Sequence, residues 1–133
     1  MLKVKTKLSE SKIEGAGIGL FAAEFIPKGT VIWEFTPHID RVYSESEFQS
    51  HTGLEKEFLE KYCYRYLGNY YLCVDNSRFF NHSDQPNCYS FDFNEYNLGC
   101  TKALVDIQEG EELTDDYSSF GFTEEDKIFN TKL

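Results

Sequence analysis

Two stretches of the chain carry most of the information about its fold: RFFNHSDQPN at residues 78–87 and EGEELTDDY at residues 109–117. The first is a dense group of polar side chains that follows two phenylalanines. Such groups usually hold backbone or ligand hydrogen bonds, because a buried polar group without a partner costs about 1–3 kcal/mol. The second predicts a turn and a short strand that ends in Tyr117. Taken alone, Tyr117 is better explained as an aromatic residue packed at the end of a sheet.

A third informative stretch is GAGIG at residues 15–19. Phosphate binding is one interpretation, but a dinucleotide fingerprint needs a strand before the glycines and a helix after them. Here a polar loop precedes the glycines, and the LFAAEFI that follows is typical of a strand. The spacing alone therefore favours a tight turn.

Length, composition and charge limit the possible classes of protein. With 133 residues and 41% hydrophobic content, we expect one compact domain. No apolar run approaches the roughly 20 residues of a membrane span, and the N-terminus lacks a signal-peptide pattern, so we expect a soluble cytoplasmic protein without a membrane partner. The formal charge of −10 argues against direct nucleic-acid binding and suits a basic protein partner, or serves only solubility.

Cysteines and histidines are dispersed along the chain. Cys63, Cys73, Cys88 and Cys100 form no CxxC pair, and three histidines are scattered among them. This spacing predicts reduced cysteines and no metal site.

Hydrophobic patterning predicts many short strands around one modest helical segment. Ser44 followed by Glu47 is a capping-box pattern, so a helix is expected to begin there. A continuation from Leu54 to Leu67 is predicted from apolar residues at intervals of four, with Gly68 as its end. The pattern indicates a mostly β, α+β domain.

Three ordered elements resemble the motifs of the SET-domain family, the lysine methyltransferases that use S-adenosylmethionine. They are Gly17-Ile18-Gly19-Leu20-Phe21-Ala22, the N-H-S-x-x-P-N element from Asn81 to Asn87, and the E-L-x-x-D-Y element from Glu112 to Tyr117. The resemblance covers about residues 4–122 and leaves a C-terminal tail at 123–133. It implies a single SET domain over residues 1–133, with a β-clip-like fold and a threaded, knot-like C-terminal region.

The resemblance also implies the site residues. Its cofactor-binding candidates are Gly17, Ile18, Gly19, Asn81, His82, Tyr117 and Phe122. Tyr117 is the principal catalytic candidate, and Tyr62, placed ahead of Tyr64, is the second. Phe122, with Phe120, is expected to stack on the adenine ring. His82, taken alone, is better explained as a structural histidine, Tyr62 is equally well explained as a core residue, and Asn87 is expected to stabilise its loop.

By this resemblance the protein methylates lysine in a basic protein, with S-adenosylmethionine as donor and no metal. Two alternatives remain open: a non-catalytic SET-like module that binds a basic partner, and a methyltransferase of small amines. Asp115 stands where most relatives carry Phe or Tyr, a position that influences the number of methyl groups added, so that number is left open. The small size also leaves a homodimer open.

Overall fold

The computed structural model describes residues 1–91, 99–120 and 123–131 of the chain. Within these residues it contains ten short strands and three α-helices. The strands are β1 (Thr6–Glu10), β2 (Ile18–Ala22), β3 (Val31–Glu34), β4 (Arg41–Tyr43), β5 (Cys63–Tyr66), β6 (Asn69–Leu72), β7 (Asn81–His82), β8 (Cys88–Phe91), β9 (Cys100–Ala103) and β10 (Thr114–Asp115). The helices are α1 (Glu45–Ser50), α2 (Gly53–Tyr62) and α3 (Glu124–Asn130), and short 3-10 turns cover Asn76–Phe79 and Tyr117–Phe120. The mostly β, α+β prediction is confirmed, with more helices than the one predicted segment.

The described strands form four small sheets. β1 pairs antiparallel with β2, β9 lies between β3 and β8, and β6 lies between β4 and β5. β7 and β10, which are distant in the sequence, pair in parallel with Thr114 opposite Asn81 and Asp115 opposite His82. This last pairing brings the two polar stretches of the chain side by side.

The main hydrophobic core lies beneath β2 and β9. Its completely buried members include Leu20, Ile26, Ile32, Ile107 and Leu113. Burial of each such side chain contributes about 1.5–3 kcal/mol to stability. Because Leu113 immediately precedes β10, the core also holds the start of the segment that leads to Tyr117.

α1 begins where the capping-box pattern predicts. The Ser44 hydroxyl accepts a hydrogen bond from the backbone N–H of Glu47, and the Glu47 carboxylate accepts one from the backbone N–H of Ser44. Phe48 is the buried residue of this helix and stacks on Tyr70, with ring centroids 3.7 Å apart. The local sequence and the packing of α1 therefore favour the same start.

The predicted helix from Leu54 to Leu67 is wrong at its C-terminal end. α2 ends at Tyr62, and Cys63–Tyr66 forms β5, which pairs antiparallel with β6. Leu67 and Gly68, with φ angles of 48° and 79°, form the hairpin turn instead of a helix end. Cross-strand pairs such as Tyr64 opposite Tyr71, with rings stacked at 5.1 Å, outweigh the helical spacing of the apolar residues.

α3 is attached to the β5–β6 hairpin by buried polar groups. Asp126, which is 0% exposed, accepts hydrogen bonds from the Arg65 guanidinium at 2.7 Å and from the Leu67 N–H at 2.8 Å. Asn130 accepts a hydrogen bond from the Arg65 N–H at 2.6 Å and donates one to the Arg65 carbonyl at 2.9 Å. These contacts fasten the end of the described chain beside the segment that follows Tyr117.

Two further features of the fold concern its cysteines and its helices. Cys63, Cys73, Cys88 and Cys100 are all free and buried, and burial raises the pKa of each thiol. Among the described residues, no helix has the length and apolar character needed to cross a membrane.

Candidate active site

The amide of Asn81 joins all three sequence elements. Its Nδ2 donates to the Ile18 carbonyl at 3.0 Å and to Glu112 Oε2 at 3.1 Å. Asn81 opens β7, Ile18 opens β2, and Glu112 lies just before β10. One side chain therefore links the glycine loop, the N-H-S element and the E-L-x-x-D-Y element.

Glu112 binds Ser11 and Lys12, at the start of the loop that carries the glycines. This residue is only 9% exposed, and its carboxylate accepts hydrogen bonds from the Ser11 hydroxyl at 2.7 Å and the Lys12 N–H at 2.8 Å. The loop closes on itself through the Ser11 N–H, which donates to the Gly17 carbonyl at 2.7 Å. The loop before β2 is therefore anchored on one side by a buried acid.

Gly19 is required by the close approach of this acid. A Cβ atom at Gly19 would lie 2.6 Å from Glu112 Oε2 and 3.3 Å from a ring carbon of Phe21. At Gly17, by contrast, no atom of the described residues apart from Gly17 and its two chain neighbours lies within 4 Å of the Cβ position. The loop is thus packed against Glu112 on one side and open on the other.

We expect Gly19→Ala to lower the free energy of unfolding by about 1–3 kcal/mol, because the Glu112 carboxylate must move and lose hydrogen bonds. Urea denaturation would measure the loss. The matched control is the same substitution in a Glu112→Ala background, where the added methyl group meets no carboxylate and should cost little. An equal loss in both backgrounds would contradict the steric explanation.

His82 holds the backbone of the tyrosine segment. The Tyr117 N–H donates to His82 Nδ1 at 3.1 Å, so this nitrogen is the unprotonated one. The other nitrogen, Nε2, lies 3.1 Å from Asp84 Oδ1 and can donate its proton there. These are the contacts of a structural histidine, and the binding of cofactor by its backbone stays a prediction.

Tyr117 points its hydroxyl at the segment before β7. The hydroxyl donates to the Phe80 carbonyl, and the Tyr117 ring lies 5.4 Å from the His82 ring. Burial of the hydroxyl, and then the charge of Asp115, raise the pKa of Tyr117 to about 12. Tyr117 is therefore a neutral phenol near pH 7, suited to orienting a group by hydrogen bonding.

A sequence model of the SET domain matches residues 17–118, from the glycine loop to the residue after Tyr117. The chain belongs to the SET-domain family. The match includes the three elements that the Asn81 amide joins. The SET-domain resemblance inferred from the motifs is confirmed.

Solved structures similar to this SET domain include Polycomb Repressive Complex 2 of Chaetomium thermophilum. Its apo form with mutations in Ezh2 gives a TM-score of 0.72 at 27% identity, over 88% of this chain and 15% of that chain. An autoinhibited form bound to S-adenosylmethionine gives 0.70 at 28% identity, over 90% of this chain and 16% of that chain. A Plasmodium falciparum protein named as a histone methyltransferase shares the fold, with a TM-score of 0.61 at 20% identity over 92% of this chain and 96% of that chain.

This SET domain thus spans about 15% of the Chaetomium chain in the apo structure. A comparison with curated protein sequences gave no match.

Tyr62 lies beside the segment whose carbonyl binds Tyr117. It ends α2, and its ring packs 4.9 Å from the Phe58 ring and 5.8 Å from the Phe79 ring. Phe79 is adjacent to Phe80, so Tyr62 reaches the same part of this SET domain as the Tyr117 hydroxyl. Tyr64 instead packs between Tyr71 and Trp33. The preference for Tyr62 over Tyr64 as a pocket residue stays a prediction.

Asp115 is a buried acid beside Tyr117. The residue is 2% exposed, and burial raises its pKa to about 7, against hydrogen bonds from Ser90 and Asp116 that lower it. Ser90 Oγ donates to Asp115 Oδ2 at 2.7 Å, and the Asp116 N–H donates to Oδ1 at 2.8 Å. In this SET domain, the position that most relatives fill with an aromatic ring thus carries a buried carboxyl group.

No pattern in the sequence indicated a role for Glu112 or Ser90. Glu112 was recognised only as a member of its motif. The glycine at position 19 is required by the Glu112 carboxylate, but a glycine in the sequence does not reveal which residue packs against it. Asn87 behaves as expected: its amide donates to the Glu112 carbonyl at 2.8 Å and accepts from the Thr114 N–H at 2.9 Å. Phe122 lies outside the described residues, so its stacking on adenine stays a prediction.

Proposed function

We propose that this SET domain transfers a methyl group from S-adenosylmethionine to the side-chain amine of lysine in a basic protein segment. The observation that supports this most is the Asn81 amide, which joins Ile18 and Glu112 across the three family elements. When bound, S-adenosylmethionine supplies a methyl group already activated by a positively charged sulfur. The protein then has to align the acceptor amine with that methyl group, a contribution of several kcal/mol.

The cofactor would be held by the Gly17–Gly19 loop, Asn81 and the backbone of His82. The open side of the loop at Gly17 leaves space for a ligand close to the backbone, while Glu112 supports its opposite side. Asn81 would keep the loop and β7 at a constant separation. By the family resemblance, these residues would hold the amino-acid and adenine groups of the cofactor.

Tyr117 and Tyr62 would orient the target amine. Free lysine has a pKa of about 10.4, and only the neutral amine has the lone pair that attacks the methyl group. Apolar surroundings and a nearby positive charge both lower that pKa. A neutral tyrosine hydroxyl can hold the amine without competing as a nucleophile.

A basic substrate is supported by the charge of the chain. A formal charge of −10 attracts lysine-rich segments by long-range steering, an effect that weakens as salt increases. Histones are one class of protein with such segments.

Two measurements test the proposed function. Calorimetry with S-adenosylmethionine tests cofactor binding, and labelled methyl transfer onto an array of lysine peptides tests the activity. Absence of binding at millimolar cofactor would favour a non-catalytic module that binds a basic partner. Transfer to metabolite extracts but not to peptides or proteins would favour a methyltransferase of small amines.

We expect Asn81→Ala to weaken cofactor binding about tenfold, equivalent to about 1.4 kcal/mol, because the loop loses its tie to β7. Calorimetry with S-adenosylmethionine gives the dissociation constant. Asn76→Ala is the matched control, since Asn76 is an exposed asparagine in the neighbouring 3-10 turn. Equal cofactor affinity in the Asn81→Ala variant and the wild-type protein would remove Asn81 from the binding site.

A further inference from the structure

The two outer edges of the sheet formed by β4, β6 and β5 differ in what covers them. β5 forms one edge and β4 forms the other. At β5, the Asn130 amide accepts a hydrogen bond from the Arg65 N–H at 2.6 Å and donates one to the Arg65 carbonyl at 2.9 Å. A side chain of α3 therefore occupies the backbone groups that β5 turns outward.

At β4, the backbone groups of Val42 point away from the sheet. Along an antiparallel ladder, pairs that exchange hydrogen bonds alternate with pairs that do not. Arg65 and Tyr70 are paired across β5 and β6 but exchange none, because the Arg65 groups face Asn130. By alternation the backbone groups of Tyr71 face β5, so Val42, which lies opposite Tyr71 on β4, turns its N–H and carbonyl outward. In the described part of the chain, no loop or side chain binds these two groups.

An open depression lies along this uncovered edge. Its volume is about 500 Å³, and it is lined by residues 38–43 and by Glu47. Ile39 and Val42 are both exposed and present apolar side chains there. Unpaired backbone groups beside exposed apolar side chains are the features to which another strand can add.

A buried acid holds the backbone of this edge in place. The Asp40 carboxylate accepts hydrogen bonds from the Thr36 N–H at 2.8 Å and from the Val74 N–H at 3.1 Å. These bonds close the turn before β4 and tie it to the segment that follows β6. Because the edge is already ordered, a strand can bind to it without the cost of ordering it.

Arg41 gives the edge a preference for negative charge. Its side chain is exposed and belongs to no ion pair among the residues that the structure describes. Glu47, the acid that also lines the depression, is already bound to the Ser44 N–H. Successive side chains of a strand point to opposite faces of its sheet, so Arg41 and Val42 lie on opposite faces. An added strand would therefore place an apolar side chain beside Val42 and an acidic one beside Arg41.

We propose that the β4 edge is a docking site for an extended, acidic segment of a partner protein, which adds to the sheet as a fourth strand. The N–H and carbonyl of Val42 supply main-chain hydrogen bonds, and Arg41 pairs with a carboxylate of the partner. A lysine-rich substrate is unsuited to this edge, because Arg41 repels it. The proposal is independent of the proposed function, since docking and methyl transfer use different segments and different surfaces.

The test uses a short fluorescein-labelled peptide in which glutamate alternates with valine. One matched peptide carries lysine in place of glutamate, and another carries N-methyl groups on the valine nitrogens that would pair with Val42. In fluorescence polarisation we expect the glutamate peptide to bind about fivefold more tightly than the lysine peptide, the size of an exposed ion pair. The N-methylated peptide should not bind.

Two variants test the charge preference. Arg41→Glu should reverse it, so that the lysine peptide binds more tightly than the glutamate peptide. Lys7→Glu is the matched control, because it makes the same change of charge at an exposed residue on β1, in another sheet. It should bind the two peptides as the wild-type protein does.

Hydrogen exchange tests the role of the backbone. The Val42 N–H should exchange rapidly in the free protein, and the glutamate peptide should slow its exchange at least about tenfold. Val42→Pro removes this N–H at an edge position, where proline is tolerated, and should abolish binding. If that variant does not fold, the N-methylated peptide and Arg41→Glu still decide.

Three results would overturn the proposal. One is peptide binding that leaves the exchange of the Val42 N–H unchanged. Another is the absence of any preference between the glutamate and lysine peptides in the wild-type protein. The third is slow exchange of the Val42 N–H in the free protein together with a dimeric mass in light scattering, because a second copy of this chain would then occupy the edge.

Discussion

Tyr117→Phe is expected to lower turnover by about one to three orders of magnitude, equivalent to about 1.4–4 kcal/mol of activation free energy. The substitution removes only the hydroxyl, which donates to the Phe80 carbonyl and, at a pKa of about 12, stays protonated near pH 7. Cofactor affinity should hold, because the Tyr117 backbone N–H still donates to His82. Single-turnover methyl transfer onto the best array peptide measures the rate, and calorimetry measures the affinity.

The control for this prediction is Tyr43→Phe. Tyr43 lies on β4, at the edge of another sheet, and its ring contacts His51. The Tyr43→Phe substitution removes the same kind of hydroxyl group, but at a position outside the proposed site, so the turnover of this variant should match that of the wild-type protein. Full activity in the Tyr117→Phe variant would remove Tyr117 from the mechanism, and an equal loss in both variants would point to a general effect on folding.

Asp126→Ala is expected to lower the free energy of unfolding by about 3 kcal/mol, because it leaves the charge of Arg65 in a largely buried position. The side chain of Arg65 is 15% exposed, and Asp126 also satisfies the N–H groups of Leu67 and Thr123. Urea denaturation at neutral pH gives the value. Glu125→Ala is the control, because the neighbouring Glu125 is exposed on the same helix. If Asp126→Ala loses no more stability than Glu125→Ala, then α3 is held by apolar contacts such as the Phe129 ring on the Tyr70 ring.

The same contact predicts a dependence on acid pH. Burial alone would raise the pKa of Asp126, but hydrogen bonds from the backbone N–H groups of Thr123, Leu67 and Gly68 outweigh it and lower that pKa. The stabilisation by the ionised Asp126 is therefore complete above the pKa of aspartate in the unfolded chain, about 3.9. It is lost as the pH falls through the lower pKa that Asp126 has in the folded protein. The wild-type protein should lose stability over that acid range more steeply than Asp126→Ala, as measured by denaturation at several pH values.

Local patterns predicted those parts of the fold whose contacts lie near one another in the sequence. The helix start at Ser44 depends on a residue three positions away, and both hydrogen bonds of that capping box are present. The end of α2 was mispredicted because Tyr66 continues the helical interval of four from Tyr62 and also fits a strand together with Tyr64. The pairing of β5 with β6, which no local spacing reveals, decided between them.

The candidate site was likewise predictable from local sequence patterns only in part. The motifs identified Asn81, His82 and Tyr117 as residue types that belong together in one family. The rings of His82 and Tyr117 do meet, whereas the Asn81 amide contacts Ile18 and Glu112. The role of Glu112 was not visible, because its partners Ser11 and Asn81 lie 101 and 31 residues away. Asp115 was noticed only as a departure from the family pattern, and its burial depends on β8.

Residue order alone was sufficient to specify the family, the mostly β class, and the identity of the polar groups near the proposed cofactor. Those properties follow from motif spacing and from hydrogen bonds between close neighbours along the chain. The tertiary structure decided which residues pack against each motif. It placed Gly19 against the Glu112 carboxylate, and it buried Asp115 without a cationic partner among the described residues. These features depend on contacts between segments that are distant in the sequence, such as the parallel pairing of β7 with β10, the bridge between Phe21 and Glu112, and the hydrogen bond from Ser90 to Asp115.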